Sequence, residues 1–287
     1  MRAWMLLALA VSAPALAQES DEAALALADH THGQAAAPRT CLGYAEGAVS
    51  DSTFSDGAAS ASGGRASFAL RCDAALNRGW RAILSDRFDD FFARGGSAQA
   101  LNTLKEAYVS FRDGGSEIVD FGRINVREGV AFAYNPTDYF RADAVRALIS
   151  IDPDSLRDER MGTLMARSQT LWSSGSLTAI VAPRIDAKPN DSTLNPDLGA
   201  TNDRTRWLLV ASQRLSTDLQ PQFSLTGAEH ESPQAGLDLT HLLNRATVAY
   251  VEWSGGRSDS NLHASGYPAL PADTAFRSRL STGLTYT

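Results

Sequence analysis

An all-β chain folded as an antiparallel transmembrane β-barrel is what three features of the sequence predict. Apolar and polar residues alternate with period two in about twelve candidate strands spread over residues 40–287. The connections between those strands alternate between short and long. Beyond residue 17 no apolar run is long enough for a transmembrane helix, so the chain is either soluble after export or embedded in a membrane as a barrel of strands.

The chain opens MRAWMLLALAVSAPALA. Arg2 supplies a charged start, residues 4–11 an apolar core, Pro14 a break, and Ala15-Leu16-Ala17 a small-x-small cleavage site. Residues 1–17 therefore read as a secretory signal peptide. Residues 18–39 are Ala-rich and polar, a flexible tail or short helix. Its two histidines, His30 and His32, have no Cys or third ligand nearby, so they read as solvated side chains rather than a metal site. No metal or other cofactor is expected. Residues 40–287 form the barrel domain.

The hairpin at 101–123 sets the pattern. Ala107, Val109 and Phe111 share one face, and Glu106, Tyr108, Ser110 and Arg112 share the other. A Gly-Gly turn follows, then Val119 and Phe121 alternate with Asp120 and Gly122. Before this hairpin, candidate strands lie at 40–50, 65–72 and 79–88. After it they lie at 160–172, 176–185, 205–215, 219–229, 235–241, 246–254 and 276–287. In the last strand Phe276, Leu280, Leu284 and Tyr286 oppose Arg277, Arg279, Ser281 and Thr285.

Connections 73–78, 113–115, 173–175, 216–218 and 242–245 are short. Connections 51–64, 89–100, 124–159, 186–204, 230–234 and 255–275 are longer. Outer-membrane barrels have this asymmetry, and a soluble sandwich has no reason to sort its loops by parity. If 40–50 and 65–72 form a hairpin, Cys41 and Cys72 meet at its base, where a disulfide can form in an oxidising compartment. Trp80, Trp172, Trp207, Trp253 and Tyr286 fall near strand ends, where interfacial aromatic girdles sit.

The stretch 104–140 carries a resemblance. Its residues Glu106, Ala107 and Tyr108, then Gly122 and Arg123, then Asn135, Pro136, Thr137 and Asp138 resemble large Gram-negative porin-like barrels of the broad alginate-export-type group. AYVEWSGG (249–256) and RLSTGLTYT (279–287) are similar to barrel strands of that group. The resemblance implies an outer-membrane channel, and a chain that stops short of its last strands. It implies no particular substrate.

Segment 124–159 is too long for an idle connection and concentrates charge. Arg127, Glu128, Asp138 and Arg141 are the candidates for lining a pore or a constriction loop; Asp143 and Arg146 lie nearby. Arg123 shares the parity of Val119 and Phe121, which places it at the membrane interface or calls for a bulge to re-aim it. Catalysis has little support: His230, His241 and His263 lie in different loops or strand ends, and no serine sits in a Gly-x-Ser-x-Gly elbow. A net charge of −7 argues against nucleic acid.

The expected function is passive diffusion of small polar or charged solutes through the outer membrane. Lipid, solutes and the barrel-assembly machinery are the expected partners. The alternatives are a non-transporting envelope barrel, adhesin-like or structural, and a soluble periplasmic β-rich ligand-binding domain.

Overall fold

The computed structural model describes residues 40–52, 61–93, 99–132, 134–147, 150, 152–190, 192–244, 246–258 and 275–286. The expected signal peptide, the tail with His30 and His32, and His263 lie outside the described residues.

Twelve strands follow one another in a single antiparallel meander, β1 to β12 in chain order. They are β1 (Thr40–Ser52), β2 (Ala61–Asn77), β3 (Trp80–Ala93), β4 (Gln99–Arg112), β5 (Glu117–Ile124) and β6 (Thr163–Trp172). Then come β7 (Gly175–Ala182), β8 (Arg206–Gln213), β9 (Gln222–Ala228), β10 (Gln234–Asn244), β11 (Thr247–Arg257) and β12 (Phe276–Tyr286). Each corresponds to one expected strand. Two helical turns interrupt the long connections: α1 (Pro153–Asp158) and α2 (Leu198–Thr201). Among the described residues β1 pairs only with β2, and β12 only with β11.

A meander places alternate connections at opposite ends of the sheet. The tight ones, at 78–79, 113–116, 173–174 and 245–246, share one end with the eight-residue connection 214–221. That last connection is longer than the expected 216–218 turn, because β8 stops at Gln213 and β9 starts only at Gln222. The other end carries the long segments 125–162 and 183–205.

The faces are inside out relative to a soluble protein. Arg87, Asp89, Asp120, Asp238 and Glu252 are buried, while Phe121 is 62% exposed and Phe223 56% exposed. Along β3, buried Ile83, Ser85, Arg87 and Asp89 alternate with exposed Leu84 and Phe88. Water strongly disfavours such an exposed apolar band, whereas hydrocarbon accepts it and drives polar groups inward. Trp80 and Trp172 stand exposed beside the tight turns, and Trp207 and Trp253 lie toward the long-loop end. The aromatics therefore flank the band on both sides.

At the tight-turn end of β1 and β2, Cys41 and Cys72 face each other in register with Cα atoms 4.1 Å apart and form the expected disulfide.

Two local irregularities matter for the interior. In β4 the register slips between the Ser85–Glu106 and Asp86–Leu104 pairs, so Lys105 is an extra residue. This bulge lets Lys105 and Glu106, neighbours in sequence, both be buried. Arg123 sits in regular pairing with Ala107, so no bulge re-aims it. It is buried instead beneath the segment around α2. Its guanidinium donates to the carbonyl oxygens of Gly162 (2.8 Å) and Pro196 and to the Thr201 hydroxyl. The side chain therefore never needs to meet lipid.

Candidate functional site: a loop held inside the sheet

The site begins where β5 ends. After Ile124 the chain leaves the wall, and the Gly162 N–H bonds to the Lys105 carbonyl at 2.9 Å, so the start of β6 abuts β4 directly. A Cβ on Gly162 would lie 2.6 Å from that same carbonyl oxygen, which is why the closure requires glycine. Segment 125–161 is thereby turned off the sheet, and its contacts show where it goes.

The first anchor is on β3 and β4. Glu159, just past α1, accepts from Lys105 Nζ at 2.9 Å with both oxygens and lies 3.4 Å from Arg87 Nη1. Arg127 pairs with Asp158 and reaches Glu106 at 4.0 Å.

The second anchor is apolar. Val126 and Phe140 from the loop pack with Ile124, Met165, Ile180, Ala182, Leu208 and Val210. The inner faces of β6, β7 and β8 are thus apolar where the loop rests. Strict alternation of a polar interior with an apolar exterior fails there because this patch meets protein rather than water.

The third anchor is on β10 and β11. Glu252 is fully buried and accepts four hydrogen bonds from the loop. Three come from the backbone N–H groups of Val130 (2.9 Å), Ala131 (2.8 Å) and Thr137 (2.8 Å). The fourth comes from the Thr137 hydroxyl at 2.9 Å, which also lies 3.0 Å from Asp238 Oδ1. Gly129 (φ 92°) makes the close approach possible, since a Cβ there would lie 2.8 Å from a Glu252 oxygen. Gln222 donates to Glu128 at 3.0 Å and to Asp238 at 3.2 Å. Tyr139 reaches the hydroxyls of Ser224 and Ser254, each at 3.3 Å.

Within the loop, Arg160 closes the structure. It forks onto Asp138 at 2.6 and 2.9 Å and donates to Asn125 at 2.8 Å, clamping the loop's beginning, middle and end together. One segment therefore touches β3–β4 at one extreme and β10–β11 at the other. This is possible only because the sheet curls and presents both walls to a common interior.

The four expected site residues all lie on this segment but in different settings. Arg127 is exposed. Arg141 is exposed and stacks its guanidinium 5.2 Å from the Tyr134 ring. Glu128 is half-buried, and that burial pushes its carboxyl above the usual carboxylate range, opposed in part by the Gln222 hydrogen bond and by Arg167. Asp138 is buried against Arg160.

The residues that do most to place the loop are Glu252, Arg160, Glu159 and Lys105, and sequence reading singled out none of them. Glu252 left one faint signal, a lone acid in the otherwise aromatic and aliphatic run from Val248 to Trp253. The Asn-Pro-x-Asp stretch, noticed only by resemblance, has a physical role. Thr137 meets Glu252 and Asp138 meets Arg160.

No family profile matches the chain, and no curated protein matches it in sequence. Several solved structures are similar in shape. Pseudomonas aeruginosa OpdQ superposes with a TM-score of 0.48 at 9% identity, over 86% of this chain and 61% of that one. Pseudomonas aeruginosa OccK7 (OpdD) gives 0.41 at 13%, over 76% and 56%. Salmonella typhi OmpF in complex with daunomycin gives 0.39 at 9%, over 87% and 86%. The chain thus spans about three-fifths of the length of the two Pseudomonas proteins.

Proposed function

We propose that the protein is an outer-membrane channel for passive diffusion of small polar or charged solutes, narrowed by segment 125–162. The observation that carries this reading is the loop's double attachment, to Lys105 and Arg87 on one wall and to Glu252 on the other. A loop so held divides an otherwise continuous interior, and the charges it presents bias what passes. In this proposal Arg127 and Arg141 face the solute path, while Glu128 and Asp138 hold the loop in place. The exposed apolar band contacts outer-membrane lipid, and the barrel-assembly machinery inserts the chain.

The same filling of the interior favours one other reading, a plugged envelope barrel that conducts nothing. Conductance separates the two. Detergent-extracted protein is first checked for a heat-dependent shift in gel mobility, then added to a planar bilayer. Stepwise conductance is expected. Its absence in protein that shows the mobility shift would leave the plugged barrel.

A further inference from the structure

Cys41 and Cys72 sit in register on the first ladder, and the alternation of that ladder sets which way their bond points. On β2, exposed Phe68 shares a face with Leu70 and Cys72, while Ser67 and Ala69 between them are buried. On its other side Cys72 pairs with Leu84 of β3, which is exposed between buried Ile83 and Ser85. The disulfide therefore lies on the outer face, the one that carries the apolar band.

Its depth follows from β3. Leu84 is four residues beyond Trp80, which marks the tight-turn girdle, and exposed Phe88 and Phe92 continue the same face. Four residues span about 13 Å along a strand, which is roughly 10 Å of depth at the usual tilt. That places the bond within the hydrocarbon. Its neighbours on that face are Gly43 on β1, Leu70 and Ala74 on β2, and Ala82 on β3. Asp86, the next outward residue of β3 after Leu84, is occupied by the Asn102 amide, which donates to it at 3.0 Å.

We infer that the Cys41–Cys72 bond is sealed in lipid once the chain is inserted, and that it is made beforehand by thiol–disulfide exchange with a disulfide in the aqueous periplasm. The thiolate is the attacking species in such exchange, and apolar surroundings suppress its formation. One cysteine thiolate attacks the external disulfide and expels a thiolate. The second cysteine thiolate then attacks the mixed disulfide and expels the other. The chain's two thiols lose two electrons, the external disulfide gains them, and the two cysteine protons end on the released thiols. The chain thus enters the membrane with β1 already tied to β2, its only ladder partner among the described residues. This inference rests on the outer face meeting lipid and not on conduction.

The full-length protein is inserted into phosphatidylcholine vesicles and floated on a density gradient. The charged reductant tris(2-carboxyethyl)phosphine is added and removed, and freed thiols are counted after unfolding by the gel shift of a polyethylene glycol maleimide. The bond should survive on the order of a hundredfold longer in vesicles than in urea. Chain reduced before insertion should keep both thiols when oxidised glutathione is added to the vesicles, although the same chain in urea closes the bond. Protection by lipid is separated from protection by packing with Cys41→Ser, labelled at Cys72 with bimane in urea, inserted, and shown to keep its heat-dependent mobility shift. Lipid with brominated acyl chains should quench the label and aqueous iodide should not. Fast reduction in vesicles, closure of the bond after insertion, or quenching by iodide in place of brominated lipid would overturn the inference while leaving the channel standing. Failure of the protein to float with vesicles would sink both.

Discussion

Glu252→Ala removes the acceptor on which the far end of the interior loop is hung. The side chain takes the N–H groups of Val130, Ala131 and Thr137 together with the Thr137 hydroxyl, at 2.8–2.9 Å. Ala131 and Thr137 are essentially unexposed, so truncation strands two buried amides. Each stranded amide costs about 1–3 kcal/mol, and relief of repulsion with neighbouring Asp238 returns part of that. A net of roughly 3 kcal/mol shifts the docking equilibrium on the order of a hundredfold toward the released loop. Hydrogen exchange read by mass spectrometry in detergent measures this directly. Amides 131 and 137 should exchange about a hundredfold faster in the variant, while strand amides elsewhere keep their protection. Glu252→Gln should fall between, because its carboxamide keeps one acceptor oxygen but turns an NH2 toward the donors. Unchanged exchange at residues 131 and 137 in a folded Glu252→Ala barrel would refute the claim that this carboxylate holds the loop.

Other perturbations probe the remaining links. Burial raises the Glu128 carboxyl when the loop is docked, so the docked state holds a proton over a pH range in which the released state has lost it. That stabilisation is complete below the ordinary carboxylate value and fades as pH rises through the raised one; exchange of the loop amides should quicken across that window in the wild type and lose this dependence in Glu128→Gln. Leu209, 43% exposed in the middle of β8, should face hydrocarbon, and Leu209→Arg should cost about 2–4 kcal/mol of stability in lipid by equilibrium unfolding. A loss under 0.5 kcal/mol would place that face in water. Replacing Cys41 and Cys72 by serine frees two residues 31 apart, for which the chain-entropy model gives about 3–4 kcal/mol; the temperature of the gel-mobility shift should fall. An unchanged temperature would mean that the β1–β2 ladder alone sets the stability of that edge.

Most of the wall was legible in the sequence, because a strand with one face to lipid and one to a polar interior must alternate. All twelve strands were anticipated, and the pairing of Cys41 with Cys72 followed from the first hairpin's register. Alternation gave least guidance where both faces are apolar. Along β7 the exposed Leu177 and Val181 and the buried Ile180 look alike in sequence, and only the loop's Phe140 explains why Ile180 turns inward. The Lys105–Glu106 bulge was invisible, since an extra residue in a strand leaves no mark when both neighbours are charged. Arg123 was recognised as out of phase, but its cover comes from Pro196 and Thr201, more than seventy residues away. Glu252 shows the limit most sharply. Its partners lie 115 to 122 positions earlier, and beyond its place between Val251 and Trp253 nothing local distinguishes it from any acid facing a polar interior.

If segment 125–162 occupies and narrows a membrane channel, removing most of it must widen the passage. Single-channel conductance of the wild type is compared with that of a variant in which residues 127–158 are replaced by a short Gly-Ser linker. Asn125 and Arg160 are kept so that the chain still leaves and rejoins the wall in the same way. A conductance several times larger and less selective is expected from the shortened protein. Equal conductance in the two would contradict the constriction, and no conductance from either, in barrels that pass the mobility test, would contradict the channel.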